Sequence, residues 1–355
     1  MRNLKKMYYK VVYYLFIAYI LLGRSCTCKK IPAIIVFGDS SVDAGNNNYI
    51  STILKSNFEP YGCDFDGRKP TGRFSNGKLP TDFISQALGI KSLIPAYLDP
   101  KCNITDFATG VSFASAGTGY DNATSDLFSV IPLWKELEYY KEFQRDLRSY
   151  LGHEKANQVL SEAIYIISVG TNDFLEKYSV LSKWTSEYSV ENYEQYLLSI
   201  AENFIAKLYK LGARKIAVAG LPPMGCLPLE RTKNFMFGSG CVEEQNNLVK
   251  DFNEKLKASV AMLKHNLVGI KLVLSDTYDI LWNIIHNPDS FGFADVRKAC
   301  CGTGLFEIGY MCDKLNIFTC WDPNNHVFWD ALHTTEKTNR IVADDLIKNY
   351  LSEFL

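Results

Sequence analysis

The sequence predicts an α/β protein whose mainly parallel central sheet is covered by helices on both faces. Three observations predict it. Five short runs are mostly apolar, helical stripes alternate with them, and no Pro/Ser-rich linker or internal repeat divides the 355 residues. Strands buried on both faces read as continuous apolar runs, and strand–helix alternation gives parallel order. A chain this long buries a sizeable core, and a single domain over residues 26–355 is expected.

The apolar runs, in order, are residues 33–37, 111–114, 164–169, 216–219 and 270–274. Between the second and third, Trp134, Leu137, Tyr140, Leu147 and Leu151 recur at helical spacing. Between the third and fourth the stripe is Tyr193, Leu197, Ile200, Phe204, Leu208 and Leu211, followed by Gly212 just beyond the helix end. Leu248, Phe252, Leu256, Val260 and Leu263 form the stripe before the fifth run. Each is read as a core-facing helix face.

Ahead of these elements, the first 25 residues carry five basic residues and no acid, around a twelve-residue uncharged, mostly apolar run. Small residues follow at Gly23, Ser25 and Thr27. That is a secretory signal-peptide pattern, and the run is shorter than the roughly 20 residues that span a bilayer. Residues 1–25 are therefore expected to be a leader, with a secreted, extracellular product and no stable transmembrane span. Removing the five positive charges takes the net charge from −1 to −6. Neither figure is the electrostatic footprint of a nucleic-acid partner.

Secretion changes how the ten cysteines read. Cys26 and Cys28 lie at the cleavage zone. The other eight (Cys63, Cys102, Cys226, Cys241, Cys300, Cys301, Cys312 and Cys320) form an even set in an oxidising compartment, so an oxidised framework of eight is expected. Cys226 and Cys241 are close enough for a local loop, and Cys300 and Cys301 each have Cys312 and Cys320 within reach. A zinc site is the weaker reading, because no C-x-x-C pair faces another. Asn103-Ile-Thr and Asn122-Ala-Thr are expected glycosylation acceptors.

Chemistry-bearing residues follow the strands. Gly38-Asp39-Ser40-Ser41 comes after the first, Phe113-Ala114-Ser115-Ala116-Gly117-Thr118-Gly119 after the second, and Gly170-Thr171-Asn172-Asp173 after the third. Asp330-Ala331-Leu332-His333 precedes a last helical stretch. Open parallel sheets bind ligands beyond the carboxyl ends of their strands, so topology alone brings these segments to one edge. Together they hold the parts of ester hydrolysis. Ser40 is the candidate nucleophile, His333 its base and Asp330 the group that orients the base. The amides of Ser40 and Gly117 and the side chain of Asn172 are the candidate oxyanion donors. Taken singly each residue is an ordinary turn, cap or core residue. His153, His265, His286 and His326 keep that structural reading.

Longer blocks around these residues resemble the plant-type GDSL esterases/lipases of the SGNH hydrolase superfamily. They are Val36-Phe37-Gly38-Asp39-Ser40-Ser41-Val42-Asp43-Ala44-Gly45-Asn46-Asn47, Thr71-Gly72-Arg73-Phe74-Ser75-Asn76-Gly77, Gly170-Thr171-Asn172-Asp173, Gly220-Leu221-Pro222-Pro223-Met224-Gly225-Cys226, Cys300-Cys301-Gly302-Thr303-Gly304 and Phe328-Trp329-Asp330-Ala331-Leu332-His333. The resemblance implies a flavodoxin-like three-layer α/β/α sandwich and a secreted hydrolase of carboxylic, lipid-like esters with no cofactor or metal. It also puts Ser40, Gly117, Asn172 and His333 on the name-giving positions, with Asp330 completing the triad. A monomer is expected. Two positions depart from the family pattern: Ser41 stands where Leu is usual, and Thr334 where Pro usually follows the histidine. Thr334 is expected to cap the final helix instead.

Other readings are weaker. Gly72 to Lys78 has the spacing of a phosphate-binding P-loop, but Leu79 replaces the hydroxyl residue that would hold magnesium, and no apolar strand precedes it. Neither G-x-S-x-G nor H-E-x-x-H occurs. An acyltransferase using the same site with a sugar or lipid hydroxyl acceptor, and a non-catalytic binding protein keeping the fold, remain as alternatives.

Overall fold

The computed structural model describes residues 31–175, 189–234 and 240–355, together with residues 7, 10 and 12–14. Most of the expected leader, with Cys26 and Cys28, lies outside them. Ile31–Phe354 forms one compact unit. Among the described residues no helix is long and apolar enough to cross a membrane.

Five parallel strands build the sheet: β1 (Ile34–Gly38), β2 (Gly110–Ser112), β3 (Ile164–Ser168), β4 (Lys215–Ala219) and β5 (Lys271–Ser275), in the order β2-β1-β3-β4-β5. This is the flavodoxin-like order, whose switch point lies between β1 and β3. Among the described residues the seven longer helices are α1 (Pro80–Ala87), α2 (Leu133–Leu151), α3 (His153–Glu162), α4 (Val190–Lys210), α5 (Glu243–Asn266), α6 (Thr277–His286) and α7 (Glu336–Asn349).

Alternation along the strands sorts side chains into two cores. Ile35, Phe37, Tyr165, Ile167, Ile216, Val218 and Leu272 face α2 to α5. Ile34, Val36, Ile164, Ile166, Ala217 and Val273 face α1 and α7. Three layers result. The three predicted helical stripes coincide with α2, α4 and α5, but Trp134 is exposed and Leu133 beside it takes the buried place at the start of α2.

One feature had no signal in the apolar pattern. β6 (Asp295–Ala299) and β7 (His326–Phe328) pair as a separate two-stranded parallel sheet, and neither is apolar throughout. Two disulfides, Cys300–Cys320 and Cys301–Cys312, tie the loop between them. Cys226–Cys241 is the expected local loop. The framework of eight is corrected to six, because among the described residues Cys63 and Cys102 are unpaired. Cys63 packs on the cluster around the paired cysteines, whereas Cys102 packs on the larger core, so different elements hold the two apart.

Candidate active site

The turn that carries Ser40 is set by its glycine. Gly38 has φ +139°, and a Cβ there would lie on the Ser168 carbonyl, which accepts the Asp39 amide at 2.9 Å. Only glycine lets the end of β1 approach β3 this closely. Asp39 is buried, and its carboxylate accepts both the amide and the hydroxyl of Ser41. Burial raises its pKa despite those donors. Ser40 is left half-buried at the mouth of a cavity of about 160 Å³ that Asn172 and His333 also line.

His333 Nε2 lies 2.8 Å from Ser40 Oγ, and His333 Nδ1 lies 2.8 Å from both carboxylate oxygens of Asp330. A carboxylate on Nδ1 fixes the ring proton there, which leaves the Nε2 lone pair for the Ser40 hydroxyl. Asp330 also accepts the amides of Leu332 and His333, so its side chain closes the turn that carries the histidine. Burial pushes this carboxyl up, but the charge and hydrogen bond of His333, the Leu332 amide and Tyr61 outweigh it and hold the pKa below the usual range.

Tyr61 was not legible in the sequence. Its hydroxyl donates to Asp330 Oδ2 at 2.7 Å and accepts the Gly309 amide at 2.9 Å, all fully buried. Phe74 was also missed, and its ring packs 4.8 Å from that of His333. The only local signal for Tyr61 is its place in the Pro60-Tyr61-Gly62 turn.

The P-loop-like segment proves to be a clamp. Arg73 is buried and binds Asp82 through Nε and Nη2, while Ser75 Oγ donates to the Thr334 carbonyl and Asn76 accepts the Glu336 amide. The cap of α7 is Thr335, whose hydroxyl accepts from Thr338 N, and not Thr334. Thr334 sits one residue too early and donates instead to Asn339.

The oxyanion candidates are less uniform. Asn172 Nδ2 donates one hydrogen to the carbonyl of Thr118, the residue after Gly117, at 3.0 Å, and among the described residues its second hydrogen has no acceptor. Gly117 has φ +92° and does not line the cavity. Among the described residues neither the Ser40 nor the Gly117 amide has an acceptor. The Gly119 amide contacts Ser125 Oγ, and a Cβ at Gly119 would strike the Asp173 carboxylate. The loop itself is pinned from the first block: Asp43 accepts the Ala116 amide, Asn46 binds the Ser112 and Ala114 carbonyls, and Asn47 binds that of Ala116.

Other sequence candidates lie elsewhere. Asn103 and Asn122 are both exposed. None of His153, His265, His286 and His326 lines the cavity. Among the described residues, Glu191, Glu194 and Asp251 have metal-ligand spacing, and the Lys255 ammonium bonds all three at 2.6–2.8 Å.

The family model for GDSL-like lipase/acylhydrolase matches residues 34–346. The chain belongs to the GDSL lipase/acylhydrolase family. GDSL esterase/lipase At4g26790 of Arabidopsis thaliana is 57% identical over 344 residues, covering 97% of this chain and 98% of the relative. GDSL esterase/lipase At2g04570 of the same plant is 56% identical, covering 96% and 98%. GDSL esterase/lipase At2g42990, also from that plant, is 54% identical, covering 92% and 93%. Within this GDSL member the motif blocks fall into two groups. The first and third strand ends and the Asp-x-x-His turn carry the candidate reactive side chains, while Asp43, Asn46, Asn47 and Arg73 hold the loops beside them.

Proposed function

We propose that this GDSL-family chain is a secreted serine esterase that hydrolyses lipid-like carboxylic esters through an acyl-enzyme. The observation that carries the reading is the 2.8 Å contact of Ser40 Oγ with His333 Nε2, on a ring whose other nitrogen is held by Asp330. Ser40 Oγ attacks the ester carbonyl as His333 takes its proton, and the imidazolium is stabilised by the Asp330 carboxylate. The tetrahedral oxyanion is received by the Ser40 and Gly117 amides and the spare Asn172 hydrogen, each donor supplying about 3–4 kcal/mol. Collapse expels the alcohol, which takes the proton from His333. Water then repeats the sequence on the acyl-enzyme and frees the acid. Paired cysteines fit an oxidising compartment, and the leader pattern supports secretion.

A fluorophosphonate probe tests this. Labelling of the folded protein that Ser40→Ala abolishes is expected, with p-nitrophenyl ester hydrolysis lost in parallel. Equal labelling of Ser40→Ala, or full hydrolysis by His333→Ala, sinks the assignment.

A further inference from the structure

The cavity that opens at Ser40 does not stop at the surface. It continues between the sheet and α7 as far as Leu351, beyond the end of that helix. The sheet register explains the space. On the face toward α7 the outermost positions are small: Gly38 pairs with Ser168, and Ala219 with Ser275. One row deeper, Ala217 lies between Ile166 and Val273, so a single methyl faces α7 where its neighbours carry branched side chains. Val342 and Leu346 of α7 lie across the gap. Ile166 and Leu346 keep 7% and 8% exposure inside this layer, as side chains around a void do.

Away from the Ser40 end, where Ile166, Ala217, Val342, Leu346 and Leu351 line it, the wall is mainly apolar. Ser168 Oγ is bonded to Ser41 Oγ, and Ser275 Oγ donates to the Val218 carbonyl. Arginine and lysine are absent from the lining. A polar or anionic ligand would lose its hydration there without replacement, whereas an alkyl chain would lose none.

We infer that this channel is the acyl-chain subsite, and that it selects esters of medium-length, unbranched acids. The inference rests on the esterase reading, since it starts from the acyl carbonyl at Ser40. A void of about 160 Å³ is close to the size that holds one benzene ring, so it takes about six chain carbons. Each methylene buried there improves kcat/KM roughly fourfold, until the Leu351 end is reached. Ala217 sets the width: a larger side chain fills the channel at its second row.

The test compares p-nitrophenyl acetate, hexanoate and palmitate on the wild-type protein, Ala217→Leu and Val342→Phe, with thermal melts to establish folding. Wild-type kcat/KM rises from acetate to hexanoate by at least tenfold and falls at palmitate. In either variant the hexanoate-to-acetate ratio drops at least tenfold. An unchanged ratio in a folded variant overturns the channel. If acetate is not turned over and Ser40 takes no fluorophosphonate, the esterase reading has failed instead. Calorimetric titration of hexanoate into Ser40→Ala then decides the channel alone: binding that Ala217→Leu removes supports it, and no binding, or binding that survives, refutes it.

Discussion

Removing one hydroxyl, in Tyr61→Phe, tests whether the triad extends beyond Asp330. The hydroxyl donates to Asp330 Oδ2 at 2.7 Å and accepts the Gly309 amide at 2.9 Å, so its loss takes a charge-assisted bond from the carboxylate and leaves a buried amide unpaired. A hydrogen bond to a charged group contributes about 1.5–3 kcal/mol, and an orphaned buried donor costs about 1–3 kcal/mol. Asp330 Oδ1 keeps the Leu332 and His333 amides, and both oxygens keep His333 Nδ1, so the carboxylate stays in place but is freer to turn. If half of the charge-assisted bond is lost in the transition state, kcat/KM falls about 3- to 13-fold. Less hydrogen bonding to the carboxylate also makes it a stronger partner for the imidazolium, so the acidic limb of the pH–kcat/KM profile moves to higher pH. The assay is that profile for a p-nitrophenyl ester, beside a urea titration. Lower stability with an unmoved profile and unchanged kcat/KM would refute a positioning role and leave Tyr61 as a packing residue.

Three further outcomes follow from buried charge. Glu136 is fully buried and accepts the Gly38 amide at 2.9 Å, and burial raises its pKa well above the usual range, which favours the neutral acid. Glu136→Gln, close to isosteric with the neutral acid, should stay within about 1 kcal/mol of wild type in urea unfolding, whereas Glu136→Ala should cost about 2–4 kcal/mol and slow turnover through the Gly38 turn; equal effects of the two would contradict the neutral form. Burial also raises Asp43 to about 6 and Asp173 to about 7. A raised carboxyl contributes stability that is complete below the unfolded pKa near 4 and lost as pH climbs through the folded value, so unfolding free energy should fall from pH 5 to pH 8 by as much as about 4 kcal/mol; a rise over that window reverses the sign. Arg73→Lys keeps the charge but removes the two-point grip on Asp82 and leaves the Ile94 carbonyl without its donor, and a loss of about 1–3 kcal/mol of stability in urea unfolding is expected.

The sheet was legible because its strands are buried on both faces. β1 and β3 to β5 are apolar enough to stand out, and the predicted runs lie within two residues of them. β6 and β7 were not legible because disulfides, rather than an apolar run, fix them: Asp295, Arg297 and Lys298 give β6 no pattern. The candidate site was legible as residue types at strand ends, since Ser40, Asn172 and His333 each follow or close a recognisable glycine or Asp-x-x-His turn. Tyr61 was not, because a tyrosine whose hydroxyl reaches 269 positions along the chain leaves no local periodicity. The pairing of Cys63 and Cys102 was over-predicted for a related reason: counting cysteines ignores which core each one packs into.

The two departures from the family pattern separate chemistry from scaffolding. Ser41 puts a hydroxyl where a leucine is usual, and that hydroxyl binds Asp39 Oδ1 at 2.7 Å and Ser168 Oγ at 2.8 Å. It therefore joins the ends of β1 and β3 at the switch point with polar contacts in place of apolar packing, and Ser40 keeps its place at the mouth. Thr334 lacks the fixed φ of a proline, but its carbonyl accepts Ser75 Oγ and its hydroxyl donates to Asn339, while the Phe74 ring stacks near His333. Two hydrogen bonds and one ring contact constrain the histidine from outside its own loop. The conformation that a proline would impose covalently is thus imposed by the clamp of residues 73–76. The clamp is what makes the second departure tolerable, which gives the second motif block a purpose that its P-loop-like spacing conceals.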